Sequence, residues 1–196
     1  MKTYLALGDS YTIGEKVLVE ENFPNQTVAL LNGKLSIPQI IATTGWTTDE
    51  LDAAITAANI TTFDIVSLLI GVNNQYRERT VNNFEIEFEH LLQRAIAFTN
   101  NNSTHVVVLS IPDWGVTPFA EGRDIKKIAT EIDAYNLVCK MAAQKFNTNF
   151  IDITKAQRLD GNKEEFLAAD KLHPSGKEYK KWAERLAEKI NEIHSF

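Results

Sequence analysis

Short apolar runs alternate with longer amphipathic ones along the chain, and this predicts an α/β protein: a parallel sheet with helices on both faces. Two observations carry the prediction. Ile65-Val66-Ser67-Leu68-Leu69-Ile70 and Val106-Val107-Val108-Leu109 are nearly continuous apolar runs, the pattern of strands covered on both sides. Between them Phe84, Phe88, Leu91, Leu92, Ala95 and Ile96 recur with the helical period and mark one buried stripe of a helix.

Taken in order, strands are expected at Thr3–Leu7, Ile37–Thr43, Asp64–Ile70, His105–Ile111 and Asn149–Ile153. Further helical stripes run through Ile125, Ile128, Ala129, Ile132, Tyr135 and Cys139, and through Tyr179, Trp182, Ala183, Leu186, Ala187, Ile190 and Ile193. Two shorter helices are expected near Pro24–Asn32 and Asp49–Ala58. Thr47-Thr48-Asp49-Glu50 offers the second a capping box, with Glu50 reaching back to the Thr47 backbone. Pro174, with its fixed φ and no N–H, suits the first position of the last helix.

The 196 residues read as one domain, residues 1–196, long enough for a core without staples. A composition of 44% hydrophobic and 23% charged residues is that of a soluble globular protein. The net charge of -6, with both signs interspersed, repels phosphate backbones and anionic membranes, so nucleic acid is not an expected partner. The lone Cys139 forms no internal disulfide, and no His/Cys/Asp cluster has metal-ligand spacing. No cofactor is expected. No run of apolar residues is long enough to span a bilayer, and no signal segment precedes the first strand. A chain complete as given is therefore expected to be cytoplasmic, without integral membrane association. The oligomeric state is not legible.

In a parallel α/β sheet, ligands bind outside the carboxyl ends of the strands. The polar punctuation falls there: Gly8-Asp9-Ser10, Thr44-Gly45-Trp46, Gly71-Val72-Asn73-Asn74 and Pro112-Asp113-Trp114-Gly115, with a long Thr154–Leu172 connection delivering His173. A serine hydroxyl needs a base before it is a useful nucleophile. Of the four histidines, His90 lies on a charged helix face, His105 opens a strand and His194 is near the C-terminus. His173 sits in Asp170-Lys171-Leu172-His173-Pro174, where Asp170 can fold back to accept the Nδ1 proton and leave Nε2 facing a serine. The same spacing also suits a plain turn capped by Asp170. Oxyanion donors are available from the Ser10 backbone N–H, the Gly45 N–H and the Asn73 side-chain amide. Gly45 and Asn73 also have ordinary turn readings.

Gly8-Asp9-Ser10-Tyr11, Gly45, Gly71-Val72-Asn73 and Asp170-x-x-His173 together resemble the SGNH (GDSL-type) hydrolase family, block by block and in order over nearly the whole chain. The resemblance implies a flavodoxin-like three-layer α/β/α sandwich with a five-stranded parallel sheet of order 2-1-3-4-5. It implies a Ser10 nucleophile, His173 as base, Asp170 as its partner, and an oxyanion hole from Ser10, Gly45 and Asn73. Two departures stand out: Asn74 where the family commonly has Asp, and Tyr11 where an aliphatic residue is common.

The expected function is a serine esterase or acylhydrolase acting on a small-molecule ester through an acyl-enzyme. A carbohydrate O-deacetylase, a lysophospholipase or a thioesterase would use the same site. A rival of another class is an inactive flavodoxin-like binding module, although such a module would more readily have lost Ser10 or His173. Trp46, Trp114 and Phe119, aromatics on catalytic-edge loops, are candidates for the substrate pocket, with core packing as the alternative.

Overall fold

The computed structural model describes residues 1–194. Five strands, β1 (Tyr4–Gly8), β2 (Gln39–Ala42), β3 (Ile65–Leu69), β4 (Val106–Leu109) and β5 (Asn149–Ile151), form one sheet of order β2-β1-β3-β4-β5. All pairings are parallel, with Leu7 opposite Leu68 and Val108 opposite Phe150. This is the expected α/β sandwich. The near-continuous apolar runs are the central strands: every residue of β1, β3 and β4 is buried, whereas β2 and β5 are partly exposed as edges.

Eight α-helices cover the sheet among the described residues: α1 (Ser10–Ile13), α2 (Phe23–Leu30), α3 (Thr48–Ala58), α4 (Val72–Tyr76), α5 (Val81–Phe98), α6 (Ile125–Lys145), α7 (Thr154–Asp160) and α8 (Gly176–His194). Helix α2 packs on α8, and α5 packs on α3 and α6. In α8 the stripe Tyr179, Trp182, Ala183, Leu186 and Ile190 is buried, and the Trp182 ring meets Tyr179 at 5.1 Å and Phe23 at 6.2 Å. Phe84 of α5 stacks on Tyr135 of α6 at 4.4 Å. Burying each such side chain is worth roughly 1.5–3 kcal/mol, so these stripes hold the layers to the sheet.

Several local expectations are corrected. Helix α8 begins at Gly176, because Pro174 is held in an antiparallel bridge with Leu167, and the Ser175 N–H donates to the Phe166 carbonyl at 2.9 Å. The Ser175 carbonyl then accepts from the Tyr179 N–H and opens the helix. His105 lies in a short 3₁₀ turn just before β4. Ile125, expected on the buried stripe, is exposed at the first position of α6. Glu50 does reach back, accepting from the Thr47 N–H at 2.8 Å, while the Thr47 hydroxyl donates to Asp49 at 2.5 Å.

No helix among the described residues is long and apolar enough to cross a membrane. The strand order reverses between β1 and β3, and the crevice beyond their carboxyl ends is where such sheets bind ligands.

Candidate active site

Strand β1 ends at Gly8 and α1 starts two residues later. A Cβ on Gly8 would lie 2.4 Å from the Leu69 carbonyl oxygen and 2.1 Å from Thr12 Oγ1, so only glycine lets the helix fold over the strand end. Asp9 caps α1, its Oδ1 accepting from the Tyr11 N–H at 3.0 Å. Ser10 is thus the first residue of a helix, where backbone N–H groups have no intrahelical partner.

His173 reaches the same point from a loop whose backbone is pinned, with the Ala168 N–H donating to the His173 carbonyl at 2.8 Å. Its Nε2 lies 2.9 Å from Ser10 Oγ, and its Nδ1 lies 2.6 Å from Asp170 Oδ2. Asp170 serves both readings that its spacing allows. Oδ1 accepts the Leu172 and His173 N–H groups at 3.0 Å each and shapes the turn, which leaves Oδ2 for the ring. Behind the imidazole stands Tyr11, its ring 5.2 Å from that of His173. The aromatic replacement at this position therefore buttresses the histidine.

The two acids here differ in charge preference. Desolvation would raise the Asp170 pKa, but hydrogen bonds from the His173 ring and from the His173 and Leu172 N–H groups outweigh it and hold the carboxyl below its ordinary value. Burial pushes Asp9 up to about 7, against the lowering effect of the backbone hydrogen bond from Tyr11.

The glycine after β2 has φ +87°, a left-handed conformation that L side chains rarely adopt. A Cβ there would meet no atom nearer than Arg77 Nη2 at 3.9 Å, so the Gly45 face is open apart from that guanidinium. Two side chains tie this loop to the β3 end. Asn73 Nδ2 donates to the Trp46 carbonyl at 2.9 Å, and Arg77 donates to the Gly45 carbonyl at 2.6 Å and to Glu50 at 3.2 Å. Sequence reasoning missed Arg77. Its signal was the spacing of one helical turn after Asn73, hidden because α4 is too short to show a period.

Asn74 is fully buried, and here an amide suits the site. Its Oδ1 accepts from the Thr48 N–H at 3.1 Å, and its Nδ2 donates to Thr48 Oγ1 at 2.6 Å and to Glu87 at 3.5 Å. Glu87 supplies a carboxylate beside it and also accepts from the Thr48 hydroxyl.

A cavity of about 190 Å³ adjoins Ser10 and His173, walled by Tyr11, Val72, Tyr76, Trp114, Phe119 and Leu172. Trp114 and Phe119 therefore border the space beside Ser10 and His173. Trp46 is not among the lining residues; it is half-buried against the core, and its carbonyl accepts from Asn73 Nδ2. No cluster of three His, Cys, Asp or Glu able to hold a metal ion occurs among the described residues.

A sheet reversing between β1 and β3, with a serine, a histidine and a carboxylate in hydrogen-bonded sequence at its carboxyl edge, is an arrangement suited to a hydrolase. The chain belongs to the GDSL-like lipase/acylhydrolase family, whose profile matches residues 6–181. No curated protein matches it by sequence. Among solved structures it is similar to a lipase/acylhydrolase from Enterococcus faecalis, with 22% identity over 97% of this chain and 95% of that one and a TM-score of 0.71. It is also similar to an acetylxylan esterase from Geobacillus stearothermophilus (20% identity, 100% and 94% coverage, TM-score 0.70). A carbohydrate acetylesterase from Sinorhizobium meliloti gives 17% identity, 98% and 100% coverage and a TM-score of 0.71. At these identities the structural likeness establishes the fold.

Proposed function

We propose that the protein is a carboxylic ester hydrolase working through an acyl-enzyme on Ser10. The observation that carries this reading is the continuous relay from Ser10 Oγ to His173 Nε2 and from His173 Nδ1 to Asp170 Oδ2, at 2.9 and 2.6 Å. As His173 Nε2 takes the hydroxyl proton, Ser10 Oγ attacks the acyl carbon, and the carbonyl electrons move onto oxygen. That oxyanion rests on the Ser10 and Gly45 N–H groups and on the Asn73 amide. One Asn73 N–H is committed to the Trp46 carbonyl, which orients the amide and leaves its second donor for the oxyanion.

When the tetrahedral species collapses, His173 gives the proton to the departing alkoxide or thiolate. Water then repeats the attack, with His173 again as base, and the acid is released from a regenerated Ser10. Asp170 stays ionised throughout. It holds the Nδ1–H tautomer and stabilises the imidazolium, and the depressed pKa of its carboxyl suits that task. Two of the structural neighbours are acetylesterases by name, and a small apolar cavity beside Ser10 fits a short acyl group.

The test is Ser10→Ala. It should abolish covalent labelling by a fluorescent p-nitrophenyl phosphonate and reduce p-nitrophenyl ester turnover to a faint residue, with a melting temperature close to the parent's. Turnover like the parent's in this variant would end the proposal.

A further inference from the structure

We propose that Trp114 is a partition setting the depth of the acyl cavity, latched by Gln75 and Glu131, and that it makes the enzyme selective for short acyl chains. The inference rests on Ser10 being the acylated residue.

The cavity beside Ser10 is not the only space that Trp114 faces. A separate cleft of about 310 Å³ adjoins it as well, and Tyr76 and Trp114 line both. The two spaces differ chemically. The wall toward Ser10 is apolar, whereas Glu78, Arg123, Asp124, Lys127 and Glu131 line the cleft. The indole is 5% exposed and meets the Tyr76 and Phe119 rings edge-on at 5.4 and 6.1 Å, so ring packing holds it on two sides.

Its orientation is further fixed by a chain of hydrogen bonds. A buried indole N–H needs an acceptor, and Trp114 Nε1 donates to Gln75 Oε1 at 2.8 Å. The other end of the same amide donates from Nε2 to Glu131 Oε2 at 2.7 Å. Gln75 and Tyr76 are neighbours on α4, Trp114 opens a 3₁₀ turn after β4, and Glu131 is on α6. One latch therefore joins three elements, and Gln75 and Glu131 both line the cleft rather than the cavity beside Ser10.

A volume of about 190 Å³ lies below the ~300–1,000 Å³ of pockets that take drug-sized ligands. An acyl chain that outgrows it meets the indole face. Removing the indole joins the two spaces and opens a path for a longer chain.

The experiment measures kcat/KM on p-nitrophenyl esters from acetate through butyrate and decanoate to laurate. The parent should favour butyrate over decanoate by roughly 10-fold or more, and parity between them would overturn the proposal without any variant. In Trp114→Ala the decanoate-to-butyrate ratio should rise roughly 10–100-fold, while Trp114→Phe, which retains an aromatic wall but has no N–H for Gln75, should raise it only a few-fold. Gln75→Met removes the acceptor at similar size and should move the ratio in the same direction as Trp114→Ala by a few-fold. Loss of overall rate with an unchanged ratio would make Gln75 merely structural and overturn the latch. Phosphonate labelling separates the two readings. A parent that is not labelled at Ser10 refutes the hydrolase, whereas a labelled Trp114→Ala with the parent's chain-length profile refutes the partition alone.

Discussion

Asp9 and Asp170 flank the same serine and histidine, one in the turn after β1 and one in the loop before α8, and their surroundings drive them to opposite states. Asp9 is fully buried, and its Oδ2 has no hydrogen-bond partner among the described residues, so desolvation favours the neutral acid. Asp170 gathers two backbone N–H groups and the imidazole around its carboxylate, which favours the charged form. Residue type alone says nothing about which acid can steady a cation; the count of donors pointing at each oxygen decides it.

The contrast has a pH consequence of opposite sign at the two positions. Asp170, with its folded-state pKa depressed, contributes stability that is present above the ordinary carboxylate range and is lost as the pH falls through the folded value. Asp9 is raised from 3.8 to about 7, so the folded protein retains a proton that the unfolded chain has released. Its neutral form therefore favours folding most below about pH 4, and that advantage shrinks as the pH rises toward about 7.

The largest break in this comparison is Asp170→Asn. The Asn oxygen still accepts from Leu172 and His173, which preserves the turn, but its NH₂ group faces Nδ1 and forces the proton onto Nε2. The wrong tautomer cannot take the Ser10 proton, and kcat should fall on the order of 10⁴-fold, with a modest drop in melting temperature as the stabilised carboxylate is lost. A variant that kept the parent's kcat would show that His173 needs no anionic partner.

Asp9→Asn is the counterpart. It keeps an acceptor for the Tyr11 N–H and removes the ionisation, so the decline in melting temperature between about pH 4 and 7 attributed to Asp9 should flatten. The parent's cost across that window is on the order of 4 kcal/mol. Thermal denaturation of both proteins across that range checks it, and parallel pH curves would contradict the raised Asp9 pKa.

The smallest effect is expected at Asn74, where the family pattern carries the acid. Asn74→Asp would lose the donors to Thr48 and Glu87 and set a second carboxylate beside Glu87. A loss of roughly 1–3 kcal/mol in urea denaturation at neutral pH is expected. Glu87→Gln in the same chain should recover part of it, and a double variant no more stable than the single one would count against the charge conflict.

Much of this site was legible because short-range chemistry writes it into the chain. Continuous apolar runs mark strands buried on both faces, helical stripes mark the layers, and Gly8, Ser10, Gly45, Asn73, Asp170 and His173 lie at or beside strand ends and turns whose backbone demands are encoded next to them. What the tertiary structure decided involves partners distant in sequence. Asn74 is an amide because Thr48 and Glu87 face it, Arg77 reaches back to Gly45 across the β2–β3 crossover, and Pro174 is drawn into a bridge with Leu167 before it can start a helix. Trp46 and Trp114, alike in the sequence as aromatics on strand-end loops, part company. One packs on the core while the other, buried and latched through Gln75 to Glu131, forms a cavity wall. The layers, and the chain order of Ser10, Asp170 and His173, follow from local periodicity and turn geometry. Which buried polar atoms find partners, and which aromatic borders the cavity beside Ser10, depends on where distant elements place their side chains.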